Sequence, residues 1–209
     1  MYSARVKTAA IQATILLSAA VVAVLSRGLD LNAVASSNST DNCTAEDYAV
    51  FSAGLDYLYG KKLNSVLLID HTSTGVPPGA VAIINLRGTI QSFYDRIPEE
   101  SRRDFDFRNK NRANVESNKL KTSIEVSSMK DQDGQAFTAS GGWKTFYKEH
   151  PQNHHILVVS LPGINRAHDR ALLYVGHTCG PMCGGGTVLL FTKEAGRWVV
   201  VDTETLWQT

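Results

Sequence analysis

The sequence predicts an α+β domain, with an N-terminal amphipathic helix and short helices packed on a C-terminal antiparallel β-meander. Three observations lead there. Apolar residues recur at helical spacing just after residue 44, apolar runs separated by glycine-rich turns fill residues 156–204, and helical patterns come early while strands come late.

Thr44 can serve as an N-cap, with Glu46 and Asp47 in the first turn where carboxylates complement the helix dipole. Tyr48, Phe51, Leu55 and Leu58 then form one apolar stripe, and Gly60 followed by Lys61-Lys62 is a C-terminal stop. Ser65 to His71 is a short apolar run that reads as a buried strand, broken by Thr74 to Gly79. Ala80 to Leu86 fits either a strand or the start of a helix. From Pro98 to Asn109 the pattern is helical again. Glu99 and Arg103, Asp104 and Arg108, and Asp106 and Lys110 are each four residues apart, which reads as a solvated, ion-paired face rather than a basic groove.

Leu120, Ile124 and Val126 mark a further strand, Asp131 to Gly134 a turn, and Trp143 to Glu149 a short helix carrying Trp143, Phe146 and Tyr147 on one side. The continuous apolar run Ile156 to Leu161 suits a central strand. Ala171 to His177, Thr187 to Lys193 and Arg197 to Glu204 follow, the last two joined by a tight turn in which Gly196 supplies positive φ. Trp198, just past that turn and opposite an apolar strand, is expected to be buried.

Ahead of this domain the chain carries a targeting pattern. Arg5 and Lys7 precede an uncharged apolar stretch from Thr8 to Leu25, and Ala33-Val34-Ala35 matches the small-x-small site of a signal peptidase. Residues 1–35 are therefore expected to be a signal peptide, or else an uncleaved membrane anchor, and positive charges at the start leave the domain outside the cytoplasm in both cases. Residues 36–43 read as a polar tether and 44–209 as a single domain. The expected location is periplasmic, extracellular or anchored facing outward.

Composition narrows the function. With 21 Lys+Arg against 20 Asp+Glu, the net charge of +1 gives no electrostatic footprint for nucleic acid. Three cysteines cannot supply a structural zinc site of four thiolates. Among the histidines, His154-His155 reads as a polar loop and His71 beside Asp70 as a surface pair. Gly184-Gly185-Gly186 lacks the lysine and following helix of a phosphate loop and reads as hairpin flexibility.

The stretch from Ala171 through Tyr174-Val175-Gly176 to Cys179-Gly-Pro-Met-Cys183-Gly-Gly-Gly, followed by Leu189-Leu190, Lys193, Gly196 and Trp198, resembles the C-terminal signature of exported bacterial proteins with no assigned function. The resemblance extends over residues 140–207 and includes Trp143, Phe146-Tyr147 and the Ile156–Ser160 strand. It implies a shared fold and carries no activity. This chain has Gly163-Ile164 where that pattern has Gly-Phe.

The chemically pointed segment is His177-Thr-Cys179-Gly-Pro-Met-Cys183. Three readings compete. Cys179 and Cys183 can close a structural disulfide across the hairpin tip, as suits an exported chain. His177, Cys179 and Cys183 could instead supply three zinc ligands, with water or a distant histidine as the fourth. Or Cys179 could be a nucleophile with His177 or a spatially adjacent histidine as its base. Cys43, the odd cysteine, is left as a free thiol or an intermolecular bridge. The sequence favours the disulfide, with no cofactor and no metal. The expected function is an exported non-catalytic domain that binds a protein or a small ligand, and that meets a membrane only if the N-terminal segment is uncleaved. The alternative is a thiol-dependent enzyme or hydrolase centred on Cys179 and His177.

Overall fold

The computed structural model describes residues 42–73, 91–128, 142–180 and 182–209. The expected signal segment, most of the tether, the Ala80–Leu86 element, the Asp131–Gly134 turn and Pro181 lie outside them.

Helix α1 spans Ala45–Tyr59 and begins as its sequence dictates. The Thr44 hydroxyl accepts from the Asp47 amide at 3.2 Å, and the Asp47 carboxylate accepts from the Thr44 amide at 2.7 Å. Gly60, at φ +48°, turns the chain into a short 3-10 helix, Gly60–Ser65. Strand β1 is Val66–Ile69, buried at every position. Helices α2 (Gln91–Arg96) and α3 (Glu99–Arg108), a single 3-10 turn (Ser117–Lys119), β2 (Glu125–Ser127), α4 (Gly142–Glu149), β3 (His155–Val159) and β4 (Gly163–Ile164) follow. Three long strands complete the chain: β5 (Arg170–Gly180), β6 (Cys183–Glu194) and β7 (Arg197–Gln208).

The strands form one mixed sheet in the order β2-β1-β3-β5-β6-β7, with β4 paired to β5. The antiparallel meander β5-β6-β7 is present as its apolar runs and turns predict, and the fold is α+β. Beyond the meander, β1 pairs in parallel with both β2 and β3. The turn between β6 and β7 places two residues at positive φ, Ala195 as well as Gly196.

Both faces of the sheet are covered, and the strand pleat sorts the side chains between them. Val66, Leu68, Leu157, Val159, Leu173, Val175, Leu189 and Phe191 point to the α1 face and pack against Phe51 and Leu55. On the opposite face Leu172, Tyr174, Val188 and Leu190 meet Phe93, Ile97 and Phe105 from the α2–α3 region. Leu67, Ile69 and Ile156 meet Phe146 of α4 on that same face. Trp198 is buried as expected, on the α1 side.

Several sequence expectations are corrected. Arg108 does not pair with Asp104 on a solvated helix face. It crosses to the fully buried Asp47 of α1, while Asp104 accepts from the Ile164 amide at 2.8 Å. Packing α3 against β4 and the start of α1 takes that end of the helix out of solvent, so the long-range partner wins over the local one. The tether reading fails at its last two residues: Asn42 bridges to Asn114, and Cys43 is 8% exposed within the core. Cys43 is a free thiol, as one of its two expected states has it, but one held in the core, where burial above all pushes its pKa up to about 12. Gly184 to Gly186 are not a flexible tip but ladder positions of β6, paired with Thr178, His177 and Gly176. A Cβ on Gly186 would collide with the Trp207 indole nitrogen and stand 2.6 Å from the Tyr174 hydroxyl. These glycines make room for neighbouring aromatic and imidazole rings.

Candidate functional site

At the end of the sheet where β3 begins and β5 finishes, two histidines and a cysteine come together. Ile156 lies opposite Thr178 and Leu157 opposite His177, so one more step outward sets His155 across from Cys179. Residues opposite each other in an antiparallel pair, and those two positions along, share a face. His155, His177 and Cys179 therefore project together on the α1 face, just beyond the last apolar layer. Nδ1 or Nε2 of each histidine and Sγ of Cys179 all lie within 4.8 Å of one another. The two imidazoles meet edge to face, with ring centroids 5.7 Å apart.

Each member is held in place by its element. In the β5–β6 ladder the register slips between Thr178 and Gly180, making Cys179 the extra residue of a bulge, a device that re-aims a side chain. The Tyr147 hydroxyl of α4 donates to the Cys179 carbonyl at 2.6 Å. Gly185 sits opposite His177, and a Cβ there would come within 2.7 Å of the His177 ring. His155 is tied at the start of β3, where the preceding amide of His154 donates to the Ser65 carbonyl at 2.7 Å.

Cys179 and Cys183 are joined in a disulfide, with their Cα atoms 5.0 Å apart. Closing so short a loop contributes about 2 kcal/mol by chain entropy, so the bond pins the tip rather than the fold. Cys183 is exposed and Cys179 half-buried, and the neighbouring Met182 is 86% exposed.

The electrostatics of the two histidines match their position. Burial lowers the His155 pKa, with help from His154 and Lys62, and burial lowers that of His177, with help from His155. Both shifts favour the neutral imidazole, which carries a lone pair on one ring nitrogen. His155 Nδ1 is buried with no hydrogen-bond partner among the described residues. Other histidines lean on carboxylates instead: His71 on Asp70, His150 on Glu125 and His168 on Glu46, at 2.9, 2.9 and 2.6 Å.

His155 is the residue that sequence reasoning missed. Read as part of a polar loop, it is the first residue of β3, and its ring meets that of His177 edge to face. Its clue is the apolar run that starts at Ile156, which extends the strand back by one residue. The Asp70–His71 pair does form, but Nε2 of His71 faces the Arg112 guanidinium at 3.3 Å. An imidazole that donates to Asp70 and accepts from Arg112 has no lone pair left for a nucleophile.

No known protein family matches the chain, and no curated protein or solved structure is detectably similar to it.

An open cavity of about 430 Å³ lies elsewhere, lined by Cys43, Ala45, Tyr48, Lys119 and Lys121. The Lys119 ammonium lies 5.8 Å above the Tyr48 ring and is paired with Glu116 at 2.5 Å. Its one sulfur is the Cys43 thiol, which burial keeps protonated. The cavity brings together no acid, base and nucleophile, and the hairpin end is the better candidate site.

Proposed function

We propose that this chain is an exported, non-catalytic α+β domain that binds a protein or small ligand through the disulfide-pinned end of its β5–β6 hairpin. The observation that carries this reading is the sulfur bond between Cys179 and Cys183. A sulfur held in a disulfide is not a thiolate, so the cysteine closest to two histidines is no nucleophile in this state. What remains at the hairpin end is a pair of imidazoles meeting edge to face and, at the tip, the exposed Met182, suited to contact rather than turnover.

Export is part of the proposal. It rests on the Arg5–Leu25 pattern, on the Ala33-Val34-Ala35 site and on the resemblance of residues 140–207 to exported bacterial proteins. A disulfide fits that location, since such bonds persist outside the reducing cytoplasm. Intact mass of the protein recovered outside the cytoplasm, measured with and without reduction, tests both halves. The expected product begins at Ser36 and gains two hydrogens per Cys179–Cys183 pair on reduction. Exported material that still begins at Met1 would make the first segment an anchor, and protein found only in the cytoplasm with free thiols would overturn the reading.

A further inference from the structure

We infer that the hairpin end is a redox-gated metal site: when the Cys179–Cys183 disulfide is reduced, His155, His177 and Cys179 hold a borderline-soft divalent ion such as Zn²⁺, with a fourth position left to water. The inference stands on the geometry of the hairpin and does not depend on export.

The donor set is the first argument. Two imidazole nitrogens and a thiolate are the ligand types zinc selects, and three protein ligands with one open position is a recurrent zinc arrangement. Their ligand atoms already lie within 4.8 Å of one another, whereas zinc–nitrogen and zinc–sulfur bonds of about 2.0–2.3 Å put tetrahedral ligands about 3.5 Å apart. Side-chain rotation is enough to close that gap, because the backbone positions are fixed by the β3–β5 register and the Cys179 bulge.

The second argument is the orphaned nitrogen. His155 Nδ1 is buried and lacks a hydrogen-bond partner among the described residues, although three other histidines find carboxylates. A buried polar nitrogen left without a partner is unfavourable, and a metal ion bound through it would supply the missing interaction. The third is the space beside His177. Gly185, opposite it across the ladder, leaves the imidazole free to turn where any Cβ would crowd it.

The gate is ordinary thiol–disulfide exchange. A dithiol reductant attacks the exposed Cys183 Sγ, the Cys179–Cys183 bond breaks and Cys179 leaves as a thiolate. The second thiol of the reductant then releases Cys183 as a thiol and closes a disulfide in the reductant. Two electrons pass to the hairpin, and the reductant's two thiol protons balance them. Metal binding then uses the Cys179 thiolate directly, or displaces its proton if it has been taken up. Reoxidation reverses the electron flow and removes the sulfur ligand.

Cobalt(II) is the test probe, because a thiolate bound to it gives a charge-transfer absorption that histidines alone do not. The full chain is titrated anaerobically in a Cys43→Ala background, oxidised and after reduction with a phosphine. The expected result is one cobalt per chain with the thiolate band in the reduced protein and no such band in the oxidised protein. Cys183→Ser, which leaves Cys179 with no disulfide partner, should bind cobalt with the same band without a reduction step. Adding His155→Ala or His177→Ala to Cys183→Ser should weaken binding by more than the about 10–100-fold typical of losing an outer-shell partner. A reduced protein with no thiolate band overturns the site. So does a Cys183→Ser protein whose band and affinity are unchanged when the histidines are replaced. Should the alanine variants not fold, His155→Gln and His177→Gln in the same Cys183→Ser, Cys43→Ala chain replace them, and a band and affinity unchanged in both overturns the site.

Discussion

Asp47 and Arg108 lock the start of α1 to the end of α3. The carboxylate is fully buried and accepts from both terminal guanidinium nitrogens, Nη1 at 2.8 Å and Nη2 at 2.7 Å. The same carboxylate caps the helix through the Thr44 amide, and Arg108 Nη1 also donates to the Pro162 carbonyl at 2.8 Å. One ion pair thus ties a helix cap, a second helix and the loop before β4 into a single network.

Removing one partner of such a pair strands the other charge. Arg108→Ala should lower stability by about 3–5 kcal/mol, the range for breaking a buried ion pair. Arg108→Lys should recover only part of it, because an ammonium cannot reproduce the two-pronged contact. Chemical denaturation of the two variants checks this. An Arg108→Ala protein as stable as wild type would show that the pair carries no weight.

Close packing of α3 on β4 depends on Gly163. A Cβ there would strike the Ser101 carbonyl and lie 2.6 Å from the Phe105 amide, both backbone groups that cannot swing aside. Gly163→Ala should cost at least the about 1–3 kcal/mol typical of overpacking. Gly196→Ala, in open space at φ +77°, should cost less, since only backbone strain acts there. Equal melting temperatures for Gly163→Ala and wild type would refute the close approach.

Trp198 contributes packing rather than a hydrogen bond. It is 7% exposed, with the Lys193 ammonium 4.9 Å from its ring centroid and Nε1 without a partner among the described residues. Trp198→Ala should cost about 3–5 kcal/mol. Trp198→Phe should cost much less, because it keeps an aromatic surface while deleting an unmet donor. Comparable losses in the two variants would mean that the indole nitrogen matters after all.

Glu46 sets a pH dependence. Burial opposes its charge, but hydrogen bonds from Lys193 at 2.7 Å and His168 at 2.6 Å outweigh this and lower its pKa. A carboxylate with a depressed folded-state pKa contributes stability that is present above its unfolded value and lost as pH falls through the folded one. Glu46→Gln should therefore be less stable than wild type near neutral pH, with the difference shrinking as acid is added below the ordinary glutamate range. Thermal melts across that range check the sign, and a gap that widens in acid would contradict it.

How far the sequence showed all this depends on the distance over which each feature is decided. Thr44, Asp47 and Gly60 mark α1 because caps and stops act within a turn or two. Likewise β5, β6 and β7 announce themselves by apolar runs and by Gly196, and the Cys179–Cys183 pairing by its short loop. The parallel pairing of β1 with β2 and β3 has no local signature, since it joins segments far apart in the chain. The same holds for Arg108, whose choice of Asp47 over the nearby Asp104 is made by helix packing. The candidate site was half legible: His177 and Cys179 share a strand and a face, but His155 joins them only through the β3–β5 register. The role of Gly184 to Gly186 could not be read without Trp207, which meets them from another strand.

Alkylation of the native, unreduced protein, followed over time and mapped by peptide mass, tests the closed hairpin most directly. Cys179 and Cys183 should stay unmodified until a reductant is added, and then both should react. Cys43, buried and held protonated, should react only when the chain unfolds. Rapid labelling of Cys179 alone before reduction, at a rate that falls when His177 or His155 is replaced, would contradict this account and make the hairpin end a thiol active site.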